Sequence, residues 1–115
     1  MSEVQVSEVC VGGVLVRGRE VDPQTRCAHY RAAHDVVAIR FACCGDWYPC
    51  LHCHAEAARH PLLPWTQADA GVEAALCGVC GERMRIAAYR AAAACPACGT
   101  AFNPGCVRHH PLYFG

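Results

Sequence analysis

The 115-residue chain predicts a small zinc-stabilised fold of α+β or irregular class: an N-terminal β-hairpin, then a loop-rich three-zinc module with short helices and a zinc-knuckle hairpin. Three observations predict it. The 54% hydrophobic content includes 20 Ala and 11 Cys, so only 31 positions carry Val, Ile, Leu, Met, Phe, Tyr or Trp. A chain this short with so few bulky apolar residues does not stabilise itself by burial alone and takes a covalent or metal staple. Eleven Cys and seven His supply the staple, and the knuckle Cys-x-x-Cys-Gly occurs twice, at Cys77 to Gly81 and Cys95 to Gly99.

Charge and apolar patterning exclude other classes. Ten Arg oppose ten Asp plus Glu, there is no Lys, and no segment concentrates one sign. A protein that binds by neutralising phosphates shows a basic excess, so nucleic acid is not an expected partner. No apolar stretch approaches the roughly 20 residues of a membrane span. Residues 1–16 place Glu3 and Glu8 among the valines, unlike a secretory leader. The expected location is therefore cytoplasmic, where cysteines are metal ligands and not disulfides. Abundant Ala and Arg without Lys point to a GC-rich, bacterial source.

The elements follow in chain order. Val4, Val6, Val9 and Val11, then Val14 and Val16, flank Gly12-Gly13 and read as a hairpin, because a type I′ turn needs positive φ at both central residues. This hairpin, residues 1–20, is expected to pack on a module formed by residues 21–115. Cys10 has no ligand type at close spacing and reads as a buried or edge thiol. A strand is expected over residues 35–42. A short helix is expected over 51–59, where Ala55, Ala57 and Ala58 favour helix and Pro61 stops it. Residues 62–71 read as a connector and 72–76 as a helical turn. Residues 84–89 suit a strand, although 87–94 favour helix by propensity alone.

The ligand types then fall into three groups of four. Cys77, Cys80, Cys95 and Cys98 form two knuckles, which supply four soft anionic sulfurs, the preference of structural zinc. The segment from Cys27 to His60 holds Cys27, His29, Cys43, Cys44, Cys50, Cys53, His54 and His60, enough for two more four-coordinate ions. One partition joins Cys27 and His29 to Cys50 and Cys53, leaving Cys43, Cys44, His54 and His60 for the other ion. Adjacent residues of an extended chain point to opposite sides, which would instead send Cys43 and Cys44 to different ions; the sequence leaves both partitions open. His52 turns away from Cys50 and Cys53 and is expected to be exposed, as is His34. Cys106 and His109 form a Cys-x-x-His pair that would suit half of an additional metal site, but no second half is evident other than Cys10 and His110, and Cys106 otherwise reads as a packed thiol. Nine thiolates against three Zn2+ shift the neutral chain to about −3, a further argument against phosphate backbones. His34, Asp35, His52 and His109 form no recognisable catalytic arrangement, so no enzyme is expected.

Together these residues resemble the CHY-type zinc-finger family, named for a Cys-x-His-Tyr element that stands here as Cys27-Ala28-His29-Tyr30. The match continues through Phe41 to Cys44, Tyr48-Pro49-Cys50, Cys53-His54, His60, Trp65 and both knuckles. It ends with Phe102 to Cys106 and Leu112-Tyr113-Phe114. The resemblance implies three zinc ions, in agreement with the ligand count. In larger members the module precedes a RING domain of ubiquitin ligases and contributes to substrate binding, but after the twelve ligands only Cys10 and Cys106 remain here as thiols, too few for a RING. A small stand-alone member assists the disulfide-relay import machinery of the mitochondrial intermembrane space by handling zinc. Two functions are thus expected: a protein-interaction module with an unidentified protein partner, acting as a monomer, or a zinc-handling or redox-assisting chaperone. Trp47, Tyr48 and Trp65 are expected to pack around the zinc sites and are also the candidate partner surface.

Overall fold

A computed structural model describes residues 7–58, 60–103 and 113. Its elements are β1 (Ser7–Val11), β2 (Val14–Gly18), β3 (Val37–Arg40), β4 (Trp47–Tyr48), α1 (Leu51–Ala57), a 3-10 turn (Gln67–Asp69), β5 (Glu73–Cys77), β6 (Arg83–Arg85) and α2 (Ile86–Ala91). The strands form one sheet in the order β1-β2-β4-β3-β5-β6. All neighbours are antiparallel except β2 and β4, which meet in parallel at Val16 and Trp47.

The hairpin forms for the expected reason. Gly12 and Gly13 have φ of 56° and 79°, and the turn sets Val11 opposite Val14 and Val9 opposite Val16. Val4 and Val6 lie outside the described residues. Through β2 the hairpin joins the same sheet as the rest of the chain. Its tip also reaches the first knuckle: a Cβ on Gly12 would stand 2.8 Å from the Gly81 Cα, and one on Gly81 would stand 2.9 Å from the Gly12 Cα. Two backbones touch there, and no side chain fits between them.

Strand alternation separates two cores. Val37, Ile39, Tyr48, Ala75 and Met84 belong to the larger, together with Phe41, Tyr89, Phe102, Tyr113 and the buried cysteines. Val11, Val14, Val16, Val21, Ala38 and Leu76 form the smaller, with Trp47 against it.

Several expected elements differ. Residues 72–76, expected as a helical turn, are largely strand β5, paired to β3 on one side and β6 on the other. Burial of Ala74, Ala75, Leu76 and Cys77 between two strands overrides the helix preference of alanine. The strand expected over 35–42 is confined to Val37–Arg40, since a tight turn begins at Phe41, whose N–H is 2.9 Å from the Asp46 carbonyl. Residues 84–89 divide: β6 ends at Arg85, and α2 starts where the Ile86 and Ala87 N–H groups donate to Val72 and Ala70. Helix α1 stops at Ala57, with Ala58 already extended at ψ 137°.

Because Gly12 combines positive φ with backbone contact, Gly12→Ala should lower the thermal unfolding midpoint by an amount equivalent to about 1–3 kcal/mol. The zinc count should be unchanged. A wild-type midpoint in calorimetry would contradict the contact between hairpin tip and knuckle.

Candidate metal centres

Three clusters each bring four ligand atoms within 4.8 Å of one another: Cys27, His29, Cys50 and Cys53; Cys43, Cys44, His54 and His60; and Cys77, Cys80, Cys95 and Cys98. Zn–S bonds of about 2.3 Å and Zn–N bonds of about 2.0–2.1 Å give tetrahedral edges of roughly 3.8 Å between sulfurs, 3.5 Å between sulfur and nitrogen and 3.4 Å between nitrogens. The separations in all three clusters lie within about 0.4 Å of these edges, those around Cys43 being the shortest.

In the first centre, Cys27 and Cys50 sulfurs are 3.6 Å apart, and His29 Nδ1 lies 3.8, 3.5 and 3.4 Å from the sulfurs of Cys27, Cys50 and Cys53. Cys50 is the N-cap of α1, its sulfur accepting from the Cys53 N–H at 3.4 Å, so the helix start places two ligands one turn apart. The Arg19 N–H also points at the Cys53 sulfur, at 3.4 Å. Cys50 holds Cys27 down to about 2 by donating its S–H, with Cys53 adding to the effect. Donation to Cys27 raises Cys50 itself, and Cys53's own hydrogen bond to Cys27 pushes Cys53 up to about 12. Burial works hardest against a charged His29, but the hydrogen bonds and negative charges of Glu56 and Cys27 together outweigh it and raise the imidazole above its usual range.

In the second centre, Cys43 Sγ lies 3.1 Å from His54 Nε2 and 3.2 Å from His60 Nε2, and the two nitrogens are 3.2 Å apart. Cys43 and Cys44 share this centre because residues 42–44 form a turn, not an extended strand. His54 is 1% exposed. Phe41 stacks on its ring at 4.4 Å and Tyr48 meets it edge-on at 5.2 Å. Burial, reinforced by the charge of His60, lowers the His54 pKa and favours the neutral imidazole that a metal requires.

In the third centre the cross-knuckle sulfur separations are 3.8 Å (Cys77 to Cys98) and 3.6 Å (Cys80 to Cys95). The two knuckles have one geometry. Gly81 and Gly99 carry φ of 81° and 78°, and their N–H groups donate to the carbonyls of Cys77 and Cys95 at 2.8 and 2.9 Å. The Cys77 and Cys95 N–H groups donate in turn to Glu82 and Thr100. Burial pushes Cys77 up to about 12, whereas hydrogen bonds from Thr100, its hydroxyl first, bring exposed Cys98 down to about 6.

A third copy of this turn was not evident from cysteine spacing. Phe41 donates to Asp46, Gly45 donates to Phe41 at 2.7 Å, and Gly45 has φ of 73°. Cys44 holds the position of the second knuckle cysteine, and Phe41 replaces the first. The Cys-Gly dipeptide shared by residues 44–45, 80–81 and 98–99 is the signal that marks all three.

Other expected residues fall differently. Tyr48 is 1% exposed and cannot form a partner surface; it supports His54 instead. Trp65 is half-buried against the larger core, and its indole N–H donates to the Arg40 carbonyl at 2.8 Å. Trp47 is half-buried beside the smaller core. His34 is half-buried and not exposed. Asp35, beside it in sequence, accepts from the Asn103 side chain at 2.6 Å. His52 is exposed, its ring stacked near Tyr30. Cys10 is an exposed thiol on edge strand β1. Cys106 and His109 lie outside the described residues. Sequence reading missed Glu56, whose position three residues after Cys53 on a predicted helix is the available signal.

Donor types, separations and turns together define a zinc-finger protein with three tetrahedral zinc sites. The chain belongs to the CHY zinc finger family, whose pattern matches residues 27–104. It is similar to Helper of Tim protein 13 of Saccharomyces cerevisiae, with 43% identity over 103 residues, covering 86% of this chain and 89% of that protein. Helper of Tim protein 13 of Kluyveromyces lactis is 40% identical over 99 residues, covering 86% and 87%. An uncharacterised protein of Schizosaccharomyces pombe is also 40% identical over 99 residues, covering 86% and 88%. No solved structure gives a significant match. These relatives are fungal and give no support to the expected bacterial source. Among the described residues no helix is long and apolar enough to cross a membrane.

Zinc must displace the protons that Cys50, Cys53 and Cys77 hold above neutral pH. Zinc uptake at pH 7 should therefore release several protons per chain, and apparent affinity should rise with pH as the thiols, and the raised imidazole of His29, give up their protons more readily. Competition titrations at pH 6, 7 and 8 read this slope directly. A pH-independent affinity would contradict the ligand assignment.

Proposed function

We propose that the chain is a protein-interaction module that uses its three zinc ions structurally and catalyses no reaction. The observation that carries this reading is the closure of every centre by four protein ligands. Catalytic zinc keeps a coordination position for water or substrate, and four side chains at tetrahedral separations fill it. The name of the relatives makes them helpers of another protein, which supports a protein as the partner here. Neither a membrane nor a nucleic acid is required, and the module acts as a monomer. The cytoplasmic location rests on sequence pattern alone; the chemistry asks only for a compartment that keeps the thiols reduced until zinc is bound.

The surface best suited to a partner is a depression of about 470 Å³ on the sheet, lined among others by Leu15, Arg17, Arg40, Trp47 and Arg83. Leu15 is 51% exposed, and Trp and Arg are the residues that most often anchor interfaces. A photo-crosslinker at Leu15 should capture a discrete protein from the source cell. One at Arg90, on exposed α2, should not. Trp47→Ala should reduce the Leu15 adduct while retaining three zinc ions. Equal capture from both positions would remove this surface from consideration.

The second centre favours an alternative, a zinc-handling or redox-assisting chaperone. His60 is exposed, Cys43 and Cys44 are half-buried and two of the four ligands are neutral imidazoles. By contrast, Cys27, Cys50 and Cys53 of the first centre are buried, and the third centre, although Cys80 and Cys98 are exposed, offers its ion four thiolates. An accessible centre is the one from which a partner thiol can take zinc or an oxidant can release it. Under chelator competition this reading expects one zinc ion to leave well before the other two, with His60→Ala accelerating only that phase. Simultaneous loss of all three would leave the structural reading alone.

A further inference from the structure

Within the first centre, a carboxylate completes an arrangement that the four ligands alone do not explain. His29 faces the three sulfurs with Nδ1, and its other ring nitrogen, Nε2, lies 2.8 Å from Glu56 Oε1. Glu56 sits three residues after Cys53 on α1, so ligand and carboxylate occupy the same helix face. Arg19 brackets the pair: its backbone N–H reaches the Cys53 sulfur at 3.4 Å, and its guanidinium is 3.9 Å from Glu56 Oε1. The second carboxylate oxygen, Oε2, is buried and has no hydrogen-bond partner among the described residues. A buried, unpartnered carboxylate oxygen is costly. It is tolerated where the charge is used.

We infer that Glu56 is a positioning residue for the first zinc ion, holding the His29 proton on Nε2 so that the Nδ1 lone pair is fixed toward the three thiolates. An imidazole has one proton and two nitrogens, and the partner of one nitrogen decides which is free to ligate. A carboxylate in this place also makes the imidazole a stronger donor, and removal of such a group typically weakens metal binding by about 10- to 100-fold. Zinc with three thiolates carries a net charge of −1, to which Glu56 adds another. Arg19 supplies the compensating positive charge, which explains why one residue contacts both the ligand helix and the carboxylate.

Cadmium-loaded protein separates the three centres, because the cadmium resonance depends on the number of sulfur ligands and the centres hold three, two and four. In a chelator titration, Glu56→Ala should release the three-sulfur resonance at about 10- to 100-fold lower chelator concentration than wild type. The two- and four-sulfur resonances should be unmoved. Glu56→Gln, which keeps an oxygen for the Nε2 proton, should fall nearer to wild type. Nitrogen-15 correlation spectra of the unsubstituted zinc protein should place the His29 proton on Nε2. The inference is overturned if Glu56→Ala releases all three metals together, if its three-sulfur midpoint equals wild type, or if His29 is protonated on Nδ1. Should Glu56→Ala not fold, Glu56→Gln and the wild-type tautomer decide the matter alone.

Discussion

Zinc accepts four ligands at fixed separations, and that requirement decides which segments of this chain meet. The first ion ties the loop at Cys27 and His29 to the start of α1, the second ties the turn at Cys43 and Cys44 to α1 and to His60, and the third ties β5 to the knuckle at Cys95. Helix α1 is seven residues long, too short to persist by its own hydrogen bonding. It is held because consecutive residues, Cys53 and His54, serve different ions. Structural zinc sites contribute on the order of 10–16 kcal/mol each in small peptides, comparable to the whole stability of an ordinary domain, about 5–15 kcal/mol.

The sheet and aromatic residues give the ions a rigid surround. Phe41 and Tyr48 pack on the buried His54, and Phe41 in turn meets Tyr48 and Tyr113 edge-on at 5.5 and 5.4 Å. Such packing fixes the ring plane of a buried ligand, as Glu56 fixes His29 by a hydrogen bond. The hairpin adds a third support. A Cβ on Gly18 would stand 2.9 Å from the Cys53 sulfur, so β2 ends in contact with the first centre while the hairpin tip rests on the third.

The ligand types were legible in the sequence because thiolate pairs at knuckle spacing have few other uses in a reducing compartment. Their partition was not. The rule that adjacent residues diverge holds for extended chain, and Cys43-Cys44 is a turn whose form depends on Gly45. Strand β5 was read as helical because Ala-Ala-Leu is a helix former when isolated, and only the two flanking strands make it sheet. That Tyr48 packs around a zinc site is legible in the sequence; that the ligand it meets is His54 is not. Glu56 and Arg19 belong to no ligand pattern at all. Their roles arise from three-dimensional proximity to His29 and Cys53, which linear spacing only partly reports.

If metal organises this fold, structure should appear in proportion to zinc. The direct measurement is a zinc titration of reduced, metal-free chain, followed by amide NMR with native mass spectrometry at each step. Native dispersion should reach its full extent at three equivalents, when the three-zinc species dominates the mass spectrum, and chelator should reverse it. A dispersed, cooperatively melting spectrum before any zinc is added, or saturation at two equivalents, would contradict the account.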